Sequence, residues 1–179
     1  MGVLFDYFSA ADDAAAAEAI DMVGGPGKFQ LPMPFARLQA EYGHDGAMEF
    51  FKPQVRVSEY GFPSVSAKNF DPVVDLGAIE ESLTGVSGDA LMAREAEPVA
   101  IRDEGECLVL PISDATSAAL AAATGPELTT AAQAWAEESA LPGSPTPDLE
   151  PIVRLLTALG ELARGAAERG ERLYCWMCL

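Results

Sequence analysis

The chain has 179 residues and a mass of 18.8 kDa, which predicts one domain, since single domains mostly run ~100–200 residues. Its 49% hydrophobic and 22% charged residues are those of a globular protein. Eleven Lys and Arg against 28 Asp and Glu give a net charge of −17, which excludes duplex nucleic acid and an anionic membrane as partners, because both repel such a chain. No stretch approaches the ~20 consecutive apolar residues of a membrane span. The opening residues hold no Lys or Arg and carry Asp6, which fits no secretory signal. Asp6 also stands where myristoylation after Gly2 needs Ser or Thr, and Trp176 stands where prenylation needs Cys. The expectation is a soluble, cytoplasmic protein. Three cysteines, an odd and low count, argue for reduced thiols over a disulfide scaffold. One histidine, His44, is too few for most zinc or iron sites, so no metal and no cofactor are expected. The 31 alanines, and eight Arg to three Lys, point to a GC-rich source genome.

Residues 2–8 read as an internal strand, with Val3, Phe5 and Tyr7 on one face and Leu4 and Phe8 on the other. An Ala-rich helix follows from Ser9 or Asp12 to about Val23, stopped by Gly24-Gly25. Residues 24–70 are irregular, rich in Pro and aromatic residues, with a short helix near Pro34–Tyr42 and a strand over Gln54–Tyr60. So aromatic a segment is expected to pack on the body. Asp71-Pro72 starts a helix to Thr84. A shorter helix covers Gly88–Ala96. Val99–Arg102 and Cys107–Ile112 form a hairpin. Ser113-Asp114 opens a helix to about Ala123, and the capping box Thr124–Glu127 opens another to about Ala140. Residues 141–147 connect to the strongest helix, capped by Asp148 and running to about Arg169. Its stripe is Leu149, Ile152, Leu156, Leu159, Ala163 and Ala166. Residues 172–178 are apolar on both faces and belong inside a sheet near the first strand, because a free end of this kind aggregates. The irregular element order predicts an α+β single domain: a small mixed sheet containing both terminal strands, packed by several helices.

Few motifs carry chemistry. Cys175 and Cys178 have CxxC spacing, but strand alternation sends them to opposite faces, so they do not share a metal. Gly24–Lys28 resembles a phosphate loop only loosely; Met22 and Phe29 break the motif, and a helix-stop loop explains it. Asp103–Glu106 reads as a solvated hairpin tip without the ligand spacing of a calcium loop. Glu80 with Glu81, and Glu137 with Glu138, diverge by ~100° on their helices and read as solvated faces. His44 beside Asp45 reads as a surface-loop histidine. Charge is uneven: residues 1–70 carry net −4, residues 71–150 net −14, and residues 151–179 net +1.

The opening Met1-Gly-Val-Leu-Phe-Asp-Tyr-Phe8 and the ending Glu168-Arg-Gly-Glu-Arg-Leu-Tyr-Cys-Trp-Met-Cys-Leu179 resemble a family of uncharacterised actinobacterial proteins. The segment Phe70–Gly85 fits the same pattern. Together these cover about a fifth of the chain. A remoter likeness to YfbM-like proteins rests on the first strand and the helix ending Leu83-Thr-Gly85. Neither resemblance implies an activity or a set of catalytic residues.

The leading expectation is a non-enzymatic acidic interaction protein, antidote-like or regulatory, that holds a basic protein partner through residues 71–150. The alternative is an enzyme or small-ligand binder whose pocket forms between residues 28–70 and the sheet. His44, Arg56, Tyr60 and Phe62 are its candidate ligand-binding residues, Phe50 and Phe51 add apolar wall, and Arg37 is a second candidate anchor. A homo-oligomer subunit with a large apolar patch is a third class.

Overall fold

The two chain ends meet at the centre of one sheet. In the computed structural model, which describes residues 4–28, 32–87, 90, 97–139 and 148–178, Leu4–Ala10 (β1) pairs with Arg172–Cys178 (β6) from Leu4↔Cys178 to Ala10↔Arg172. Arg56–Val57 (β2), Pro63–Lys68 (β3), Ala100–Arg102 (β4) and Cys107–Pro111 (β5) complete the order β2-β3-β1-β6-β5-β4. Every pairing is antiparallel, so the expected mixed sheet is corrected. The α+β class stands.

The apolar pattern of β1 and β6 on both faces is explained by two cores. Phe5, Tyr7, Leu173 and Cys175 face a layer of four helices: Val74–Thr84 (α3), Asp114–Ala122 (α4), Gly125–Ser139 (α5) and Leu149–Arg169 (α6). Phe8, Ala10, Tyr174 and Trp176 face the smaller second core. That core is covered by Asp13–Ala17 (α1), the 3-10 turn Glu18–Asp21 and the chain after it. The remaining helix, Phe35–Glu49 (α2), bends at Gly43, whose φ of 74° lies in the left-handed region.

α6 contributes more residues to the first core than any other element. Leu155, Leu156, Leu159 and Leu162 are all buried, and each contributes roughly 1.5–3 kcal/mol on burial. Asp148 caps its start by accepting from Glu150 N–H, and left-handed Gly170 ends it. Glu150 pairs with Arg154 one turn later, and Arg164 donates to the Ala121 carbonyl at 3.2 Å. Ser113 caps α4 as read, and the Thr124–Glu127 box forms at the start of α5.

Several expectations shift. The first helix stops at Ala17 and tightens into the 3-10 turn, which lets Ala19, Ile20 and Met22 reach the second core. β3 falls inside the stretch read as irregular. It alternates Ser64 and Ser66 with buried Val65 and Ala67, a period-2 signal that Pro63 and the flanking turns obscure. The helix expected over 88–96, apart from residue 90, and the connector over 141–147 lie outside the described residues.

The reduced-thiol expectation is corrected as well. The β5–β6 register puts Cys107 opposite Cys178, with Cα atoms 4.1 Å apart, and the two form a disulfide across 71 residues of sequence. An odd count hides this pair, because only sheet register decides which two of three sulfurs meet. The third, Cys175, is free and buried on the other face, as the CxxC alternation requires. Alkylation of the unreduced, denatured protein is expected to tag one thiol, rising to three after reduction. Under oxidising conditions Cys178→Ser is expected to lower stability by about 2–4 kcal/mol, since a cross-link this long restricts the unfolded chain strongly. Removing residues 172–179 is expected to abolish cooperative unfolding in calorimetry, because both cores lose their central strand.

Candidate functional site

The face of β1 that carries Phe8 also carries Asp6, which is fully buried. A carboxylate in this position requires hydrogen-bond donors. Register supplies the first: Asp6 lies opposite Ser66, whose hydroxyl donates to Oδ1 at 2.6 Å. The second comes from the loop after the 3-10 turn, where Gly27 N–H donates to Oδ2 at 3.0 Å. Burial raises the Asp6 pKa above the ordinary carboxylate value, and these two hydrogen bonds oppose the shift.

Gly25, Pro26 and Gly27 are themselves buried. A Cβ on Gly27 would lie 2.7 Å from Asp6 Oδ1 and 2.8 Å from Ser66 Oγ, and one on Gly25 would lie 2.9 Å from the Trp176 ring. These glycines are therefore required for close approach to a polar sheet face. In sequence this segment reads only as a helix stop; the signal for its role is the pairing of Asp6, polar within an apolar strand, with a glycine-rich loop bare enough to reach it.

Next to this loop a cleft of about 410 Å³ opens between Gly27, Lys28, Phe50, Gln54 and residues 56–59. Lys28 Nζ lies 2.9 Å from Glu59 Oε1 at its mouth. Arg56 is fixed: its guanidinium donates to the Phe50 carbonyl and, at 3.1 Å, to the Lys52 carbonyl, closing the end of α2. Burial lowers the Arg56 pKa from its ordinary value. Ser58 Oγ and Trp176 Nε1 are buried without a hydrogen-bond partner among the described residues.

Of the residues singled out from sequence, Arg56 and Phe50 line this cleft. His44 sits on exposed α2, with Nδ1 3.2 Å from Gln39 Nε2. The Tyr60 hydroxyl donates to the Val23 carbonyl at 3.4 Å. Phe62 turns into the second core, edge-on to Phe8 at 5.2 Å. Phe51 packs on Phe35, and Arg37 is exposed on α2. The structure therefore does not assemble His44, Tyr60 and Phe62 around Arg56.

Among the described carboxylates of residues 71–150, two groups stand out. Asp71, Asp75 and Glu80 turn inward. Asp71 accepts from Val73 and Val74 N–H in the turn ahead of α3. Asp75 accepts from Trp135 Nε1 at 2.9 Å. Glu80, expected on a solvated face, is buried and accepts from the Thr116 hydroxyl, because its helix lies against α4. The second group faces water: Glu81, Asp114, Glu127, Glu137 and Glu138 on α3–α5, and Asp103, Glu104 and Glu106 around the β4–β5 turn. Among the described residues, no group of three or more His, Cys, Asp or Glu is placed to hold a metal ion, and no helix is long and apolar enough to cross a membrane.

At the other end of β1, the Tyr174 hydroxyl donates to Asp13 at 2.8 Å. Burial first, then this contact, push its pKa up to about 12. That cluster ties α1 to β6, with Arg172 also on Asp13 at 3.0 Å. No protein-family model, no curated protein and no solved structure matches the chain.

Three predictions test the glycines and Asp6. Gly27→Ala is expected to cost about 1–3 kcal/mol in urea unfolding, the usual range for forcing atoms into a packed site. Gly77→Ala, in α3 with nothing within 4 Å of its would-be Cβ, is expected to gain about 0.5–1 kcal/mol. For pH, the raised folded-state pKa of Asp6 means that folding favours its protonated form. Its contribution to stability is complete below the unfolded pKa and is lost as pH rises through the folded one. The stability difference between Asp6→Asn and wild type should therefore shift toward the variant as pH rises above 4, and a pH-independent difference would contradict the assignment.

Proposed function

We propose that the protein is a non-enzymatic docking protein, antidote-like or regulatory, whose acidic helical layer holds a basic protein partner. One observation carries this reading: helices α3, α4 and α5 display exposed carboxylates and contain no Lys or Arg, and no cation occurs in the sequence between Arg102 and Arg154. Such a surface, acidic along three helices that carry no cation of their own, favours fast, electrostatically steered association with a basic partner.

A groove of about 370 Å³ between these helices supports the same reading. Leu83, Ala119, Ala122 and Ala123 give it an apolar floor, and Glu127 stands at its wall. The Thr124 N–H and hydroxyl, at 2.8 and 2.7 Å, hold the Glu127 carboxyl below its ordinary pKa and so ionised. A partner's Lys or Arg side chain would lay its methylene stem on the floor and its charge against that carboxylate.

The test is capture of partners from cell extract on the immobilised protein over a salt series, repeated with Glu127→Gln, Glu137→Gln and Glu138→Gln combined. The expected result is a basic partner, released as salt rises from about 0.05 to 0.5 M and retained poorly by the neutralised variant. A partner without basic character, or retention indifferent to salt and to the three substitutions, would remove the proposal.

A further inference from the structure

We propose that the cleft beside the Gly24–Lys28 loop binds a small organic monocarboxylate, with its carboxylate between Lys28 and Arg56 and its apolar body on Phe50 and Val57. The site is separate from the acidic helices. It is built from β2, the end of α2 and the loop, and none of its lining residues belongs to α3, α4 or α5.

Charge selects the class of ligand. The lining contains Lys28, Arg56 and Glu59, a net of +1 in a chain of net −17. A cation would meet two like charges here. A dianion such as phosphate would exceed the positive charge available, and it has no surface to set against the apolar wall. A monoanion balances the lining. The apolar wall is Phe50 and Val57, and Val57 is 71% exposed on a strand of two residues. Covering that side chain favours a ligand with a hydrocarbon portion. Gln54 and Ser58, on the same lining, add hydrogen-bonding groups suited to a carboxylate.

The walls are set before any ligand arrives, which lowers the ordering cost of binding. Gly27 is tied to Asp6 at 3.0 Å. Arg56 is held by the carbonyls of Phe50 and Lys52. Lys28, exposed at the mouth, is positioned by Glu59 at 2.9 Å.

The test is amide chemical-shift mapping of the full chain titrated with benzoate, benzamide and inorganic phosphate. Benzoate is expected to give saturable shifts confined to residues 27–28 and 54–59. Benzamide, which has the shape without the charge, should bind about tenfold more weakly, and so should phosphate. Lys28→Gln changes an exposed side chain and should leave the rest of the spectrum in place while weakening benzoate, with benzamide unaffected. Scattered shifts, equal responses to benzoate and benzamide, equal responses to benzoate and phosphate, or benzoate binding untouched by Lys28→Gln would each overturn the proposal. None of these outcomes depends on the basic partner of the helical layer, so the two readings stand or fall separately.

Discussion

The pairing of β1 with β6 organises the molecule. These strands come from opposite ends of the sequence, and each is apolar on both faces. Such a strand is stable only when both faces are covered and both edges are paired. Each requirement places another part of the chain. The first face takes the helical layer, with α6 as its main contributor. The second takes α1, the 3-10 turn and the loop that follows. The edges take β3 and β5, and Cys178 lands opposite Cys107 as a consequence of the same register.

Asp6 is the exception within this apolar arrangement, and it is informative for that reason. Burial of a carboxylate is unfavourable unless donors meet it, and here they come from Gly27 and Ser66, 21 and 60 residues away. The hydrogen bonds fix the loop against the sheet, and the loop in turn forms one wall of the cleft that holds Lys28 and Arg56. A buried carboxyl group thus positions a surface site without lining it. The price in stability is set against a loop geometry that only glycine permits.

Charge is partitioned by the fold as well as by the sequence. The acidic stretch 71–150 does not present all its carboxylates outward. Asp75 and Glu80 serve as internal acceptors that join α3 to α5 and α4, while Glu81, Asp114, Glu127, Glu137 and Glu138 are exposed on helices that carry no Lys or Arg. The cleft near β2 gathers positive charge on the separate surface formed by β2 and the loop. One chain therefore offers two surfaces of different chemistry.

The helices were legible because their signals are local. Asp148, Ser113 and the Thr124–Glu127 box mark starts, and the 3.6-residue spacing of the α6 leucines marks a buried face. The terminal strands were legible because a run apolar on both faces has few stable placements. What remained hidden depends on contacts between residues distant in sequence. Spacing cannot foretell that Glu80 meets Thr116, that Gly27 reaches Asp6, or that Cys107 faces Cys178. Nor does composition reveal that Arg56 is drawn to the end of α2 and away from His44, since its direction is set by the Phe50 and Lys52 carbonyls left open where that helix stops. Local propensity and periodicity determine the elements; strand register and helix packing decide which side chains share a site, because those are settled only when the whole chain closes on itself.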